Sequence, residues 1–193
     1  MQPIGHITRL QVQTSPLKLG QKPYRVYDPA PIRATPAMRL TREGVTGLDD
    51  GKSFMDVHHA RHPQSRRRGE TNAISFNFTA HYRRMRDRYG PHLTDGATGE
   101  GILIASDRIW TEDELQPGLV IVTQRGREIR LHHIIVAAPC APFSRFALSL
   151  DAHAPREMIK ETLQFLDGGM RGFLAQLDGH EAEIQVGDSV FIA

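Results

Sequence analysis

At 193 residues, 39% hydrophobic and 24% charged, with no apolar run near the roughly 18 needed to span a bilayer, the chain reads as one globular core with no membrane segment. A formal net charge of +2 is too small to make nucleic acid the main partner. The single cysteine, Cys140, excludes an internal disulfide, and the opening MQPIGHITRLQVQ lacks the basic-then-apolar pattern of a secretory leader, so a cytoplasmic setting is expected.

In chain order, Gln2 to Val12 alternates well enough for a first strand that stops at Thr14, Ser15 and Pro16. Prolines at 16, 23, 29, 31 and 36 exclude long helices and predict extended pieces joined by turns. Met38 to Thr41 forms a short strand; Gly44-Val45-Thr46-Gly47 reads as a tight turn, and Leu48 to Glu70 as a polar loop. The segment Asn72 to Thr79 alternates Ile74, Phe76 and Phe78 against Ser75, Asn77 and Thr79, the pattern of a half-buried strand. A helix follows from Ala80 to Tyr89, with Tyr82, Met85 and Tyr89 as its core stripe and Gly90-Pro91 as its stop. Thr94 to Gly101 carries three glycines, but a phosphate loop needs a lysine and a helix after them, and the strand-like Ile102-Leu103-Ile104 follows instead.

Leu119 to Thr123 and Glu128 to Ala138 predict a hairpin with Gly126 in its loop. The run Ile134-Ile135-Val136 has no polar alternation, as in a strand buried on both faces, and it leads to Cys140 between Pro139 and Pro142, a stiff turn at the end of the sheet. Pro155 suits the first turn of a helix reaching Leu166, which Gly168 and Gly169 end. Arg171 to Leu177, Glu183 to Val186 and Ser189 to Ile192 close the chain as short strands. Many short strands and few helices predict a mainly β fold built as a barrel.

Two groups of residues carry chemistry. Cys140 is open to three uses: a packed hydrophobe, a nucleophile, or a soft metal ligand, with Arg145 five residues on favouring the thiolate. No histidine base for a nucleophile is singled out, and His132 and His133, adjacent on a strand, must point to opposite faces. Between Asp56 and Gly90 there are eight arginines against three acids, including Arg66-Arg67-Arg68. Together with His58, His59 and Arg61 they suit an anion-binding loop, because a guanidinium matches phosphate or carboxylate in two-pronged fashion. His58 and His62 have the spacing of two ligands on a helix face, but the glutamate of the zinc-protease pattern is absent and Pro63 argues for a loop.

Taken in order, these pieces resemble the MOSC family, named for the C-terminal domain of molybdenum cofactor sulfurase. The resemblance runs from about Gly44 to Ile192. It rests on Gly44-Val45-Thr46-Gly47 with Asp49 or Asp50 and His58 or His59, NAISF and the helix near His81, Gly99-Glu100-Gly101-Ile102, Pro139-Cys140, Gly172-Phe173 and Gly187-Asp188. Gly101 stands where the family signature has asparagine. The resemblance implies a mostly antiparallel β-barrel with a few peripheral α-helices, formed as a single MOSC-like domain over 1–193, with 1–43 as N-terminal strands and a Pro-rich segment. It also implies a molybdenum cofactor (molybdopterin), Cys140 as molybdenum ligand or sulfur carrier, and a cofactor site drawn from Cys140, His58, His59, Arg61, Gly99, Glu100 and Arg145. Two activities are implied: reduction of N-hydroxylated small molecules with an external electron donor, or carriage of sulfur from a cysteine desulfurase to a partner molybdoenzyme.

Overall fold

The computed structural model describes residues 1–65, 73–150 and 155–193, so the Arg66-Arg67-Arg68 run, Glu70 and Asn72 lie outside the described residues. In chain order the elements are β1 (Gln2–Gln13), β2 (Lys18–Leu19), β3 (Val26–Tyr27), β4 (Ile32–Thr35), β5 (Ala37–Thr41), β6 (Gly44–Asp49), β7 (Lys52–Met55), β8 (Ile74–Phe78), α1 (Thr79–Tyr89), β9 (Ile102–Ile104), α2 (Glu112–Leu115), β10 (Leu119–Val122), β11 (Glu128–Val136), α3 (Ala141–Ala147), α4 (Arg156–Leu166), β12 (Phe173–Leu177), β13 (Glu181–Gln185) and β14 (Ser189–Ile192). No helix among the described residues is long and apolar enough to cross a membrane.

Seven strands close a barrel in the order β1, β14, β10, β11, β12, β8, β9 and back to β1. Its pairings are antiparallel except for β8 with β9, and parallel neighbours need a crossover, which α1 supplies. The expected mainly β, mostly antiparallel barrel with peripheral helices is therefore what the chain forms. The far half of β1 outruns the barrel and pairs with β4, Leu10 opposite Thr35 and Gln13 opposite Ile32. A second sheet, β13-β5-β6-β7, and the small β2-β3 hairpin complete the strands.

Two apolar clusters hold these parts together. The barrel interior is filled from alternate positions of its strands, with Phe76 stacked on Phe173 at 5.4 Å between ring centroids and Phe78 edge-on to Phe76 at 5.8 Å. The second cluster lies under the helices, where Tyr82 and Met85 of α1, Phe143 and Ala147 of α3 and Leu166 of α4 meet Leu17 and Tyr27. The predicted Tyr82 and Met85 stripe is thus core.

Several local expectations are corrected. Gly44 to Gly47 is not a turn but the start of β6, and the supposed loop from Leu48 holds the rest of β6 and all of β7. Partners supply what local propensity withheld: β5 pairs along the whole strand, and a Cβ on Gly47 would lie 2.6 Å from Thr35 Cγ2, so glycine is there to admit Thr35. Strand β11 is not buried on both faces: Ile134 is buried while Ile135 is 39% exposed. A register shift between His132 and Ile135, with His133 at φ 49°, turns the two histidine rings toward each other, 4.6 Å apart, where regular pleating would separate them. The sheet stops at Val136, and Cys140 instead begins a helix the sequence did not announce, α3, with Pro142 in its first turn. Helix α2 was likewise unexpected; Thr111 and Glu114 form its capping box.

Candidate functional site

The end of β1, Lys18, the Asp56–His58 turn, the glycine-rich loop before β9 and the Arg171–Gly172 entry to β12 surround a cavity of about 480 Å³, in the size range of small-molecule sites. A second cavity of about 220 Å³ shares Gln13, Lys18, His58 and Arg171 and adds Arg25 and Tyr27. Lys18, Arg25 and Arg171 make this connected cleft cationic.

Side chains from distant elements hold the glycine-rich loop in place. Gln11 of β1 donates through Nε2 to the carbonyls of Gly96 and Glu100 at 2.7 and 2.8 Å, and Gln13 donates to Gly99 O at 2.5 Å. The Tyr27 hydroxyl donates to Ala97 O at 2.8 Å, and Arg171 Nη2 to Thr98 O at 3.4 Å. Alternate β1 residues point to one face, so Gln11 and Gln13 reach the loop together. On the opposite wall the Asp56 carboxylate accepts from Gln13 N at 2.7 Å and His58 N at 2.8 Å, fixing the turn that carries His58.

Glu100 is the acid of this loop. It is 4% exposed, and its Oε2 accepts from the hydroxyls of Tyr82 and Thr98 at 2.9 and 2.5 Å. Burial, acting against those two bonds and the Arg171 charge, holds its pKa above the ordinary carboxylate value. Burial also raises the hydroxyls of Tyr82 and Tyr27, which stay neutral donors.

Of the residues singled out in the sequence, His58, Gly99 and Glu100 line the main cavity together. His59 is buried and does not line it, its Nδ1 accepting from Arg61 N at 3.2 Å. Arg61 is exposed and paired with Glu43. Arg145 lines a separate depression with His92 and Phe146 and donates to Arg25 O at 3.2 Å. Cys140 is a half-buried free thiol packed against the helical cluster that contains Tyr27. It lines neither part of the cleft, but Ala137, three residues before it, does. Among the described residues no group of three or more His, Cys, Asp or Glu side chains is placed to hold a metal ion. Sequence reasoning missed Gln13, Lys18, Arg25 and Arg171; lone polar residues on separate segments share no spacing, and only Arg171, one residue before the Gly172-Phe173 signature, had a nearby signal.

A family model for the MOSC domain matches residues 63–191. That match begins after the Gly44–His62 stretch, which holds β6, β7 and His58. No curated protein matches the chain by sequence. Among solved structures, the YUAD protein from Bacillus subtilis is similar with a TM-score of 0.57 at 11% identity, over 96% of this chain and 93% of that one. A structure described as a hypothetical protein has a TM-score of 0.53 at 12% identity, over 97% of this chain and 68% of its own.

Proposed function

The chain belongs to the MOSC domain family, and from that premise we propose that the cleft holds the molybdenum cofactor, a molybdopterin, with Cys140 as thiolate ligand to the metal. The observation that carries this reading is one cationic cleft with a free thiol beside it: Lys18, Arg25 and Arg171 on the cavities, and Cys140 packed against the apolar cluster that contains Tyr27. The residues present fit the group. Arg171 Nε and Glu100 Oε1 are buried without partners at the larger cavity, so polar atoms there still lack a ligand's hydrogen bonds. Lys18 and Arg25 supply charge for the pterin's phosphate, and a thiolate suits a soft metal position. When bound, the group supplies a redox-active metal; the enzyme version of this reading is reduction of an N-hydroxylated small molecule with electrons from an external donor. Within it, Gln11 and Gln13 hold the loop that carries Glu100, and Tyr27 holds the same loop at Ala97.

Expression with cofactor supply, followed by assay of bound molybdenum and pterin, tests the reading. Wild type should retain both and Cys140→Ser should lose metal; equal metal in the two proteins sinks the ligand role. A second reading, a non-catalytic carrier that takes sulfur on Cys140 from a cysteine desulfurase and passes it to a partner molybdoenzyme, is favoured by one fact: the thiol is partly exposed and outside the cavity linings. Persulfide on Cys140 after incubation with a desulfurase, without reductase turnover, selects it.

A further inference from the structure

Glu100 borders the main cavity, yet one of its carboxyl oxygens is fully engaged and the other is not engaged at all. Oε2 accepts from the Thr98 hydroxyl at 2.5 Å and the Tyr82 hydroxyl at 2.9 Å. Tyr82 Oη accepts the Thr98 N–H at 2.9 Å, which leaves its single proton to point outward, and its alternative acceptor, Thr98 Oγ1, is farther at 3.1 Å. Oε1 is buried and has no partner. A carboxylate here would keep a charged oxygen out of water with nothing donating to it, which is costly. With Oε2 holding two donors, the proton of the acid form belongs on Oε1.

We propose that Glu100 is the proton donor of this cavity, its Oε1–H bonding to and then protonating an oxygen of the bound small molecule. Arg171 lines the same cavity, and its Nε is likewise buried without a partner, so its N–H is the second donor left for that ligand. The site therefore takes a ligand with an acceptor oxygen for the Glu100 Oε1–H. The transfer balances by itself: the Oε1–H bond breaks, an O–H bond forms on the ligand, and the carboxylate left behind is held by the Tyr82 and Thr98 hydroxyls and the Arg171 charge until water entering as the product leaves reprotonates it. Other ionisable groups around it are Tyr27 of β3 and, on the same cavity, Lys18, Asp56 and His58. The inference rests on the cleft being the ligand site proposed above, and for an N-hydroxylated substrate it names the group that protonates the oxygen leaving as water.

Infrared spectroscopy of the cofactor-free protein at neutral pH tests the donor directly. Glu100 is the one buried glutamate among the described residues, so labelling the glutamates with carbon-13 should shift a protonated-carboxyl C=O band that also moves in deuterium oxide and is lost in Glu100→Gln. Only carboxylate bands for labelled glutamate overturn the proposal, and this readout in the labelled wild type requires neither the variant to fold nor molybdenum to bind. In the loaded protein, Glu100→Gln should keep wild-type molybdenum content while turnover falls roughly 10²- to 10⁴-fold and the acid limb of its pH profile flattens. Unchanged turnover with an unchanged profile also overturns it. A protonated Glu100 band in a protein that never retains molybdenum would refute the cofactor reading while leaving the donor in place.

Discussion

Mild acid should loosen the molecule at His81. This residue lies buried on α1 among Phe78, Phe173 and Trp110, and both ring nitrogens are committed. Nδ1–H donates to Gly169 O at 3.0 Å, and Nε2 accepts the Trp110 N–H at 3.0 Å. A second proton on Nε2 would face that N–H, and burial already lowers the pKa from 6.5 to about 4. Because the folded value is the lower one, the unfolded chain binds the proton first. The stability that neutral His81 contributes is whole above pH 6.5 and is lost as the pH falls toward about 4. At about 1.4 kcal/mol per tenfold change in proton concentration, the full loss is about 3 kcal/mol, of which about 2 kcal/mol falls between pH 7 and pH 5. Urea unfolding of wild type and His81→Gln at those two pH values isolates it, since the remaining titrating groups are shared. The variant should start roughly 1–3 kcal/mol less stable at pH 7, with Gly169 O unpaired, and should lose about 2 kcal/mol less than wild type on acidification. Parallel losses in the two proteins would refute the reasoning. Gly169 lies just before Arg171 and Gly172, so any ligand bound in the cleft should weaken over the same pH window.

Two further substitutions test how the cleft is built. Gly172→Ala places a Cβ at φ 116°, 2.8 Å from the Phe76 carbonyl oxygen; it should cost roughly 1–3 kcal/mol in urea unfolding, and a wild-type midpoint would show that this entry to β12 is not held as described. Tyr82→Phe removes the oxygen that accepts Thr98 N–H and one of the two donors to Glu100. It should destabilise by roughly 1–3 kcal/mol, and it should move the Glu100 carboxyl band described above; a silent spectrum contradicts the assigned bond.

Much of the barrel could be read from local pattern. Ile74, Phe76 and Phe78 alternate because one face of β8 is core, and the hairpin around Gly126 and the Tyr82–Met85 stripe follow equally local rules. The failures occurred where a partner overrides propensity. Gly44 to Gly47 looks like a turn until β5 pairs with it, and His132 and His133 look opposed until the shift against β12 turns them. Alternation marks which side of a strand is dry but cannot reveal a bulge, which depends on the neighbouring strand.

The candidate site divides in the same way. The chain's order of motifs determined the family resemblance, the single thiol and the glycine–acid pair Gly99-Glu100, since each is a property of adjacent residues. Only the tertiary structure decided that Gln11 and Gln13, Lys18, Tyr82 and Arg171 gather around that pair, that Arg61 and Arg145 face elsewhere, and that Glu100 is deprived of water on one oxygen. Burial and donor counts are set by residues up to 89 positions apart, as between Gln11 and Glu100, and closing the barrel is what makes them neighbours.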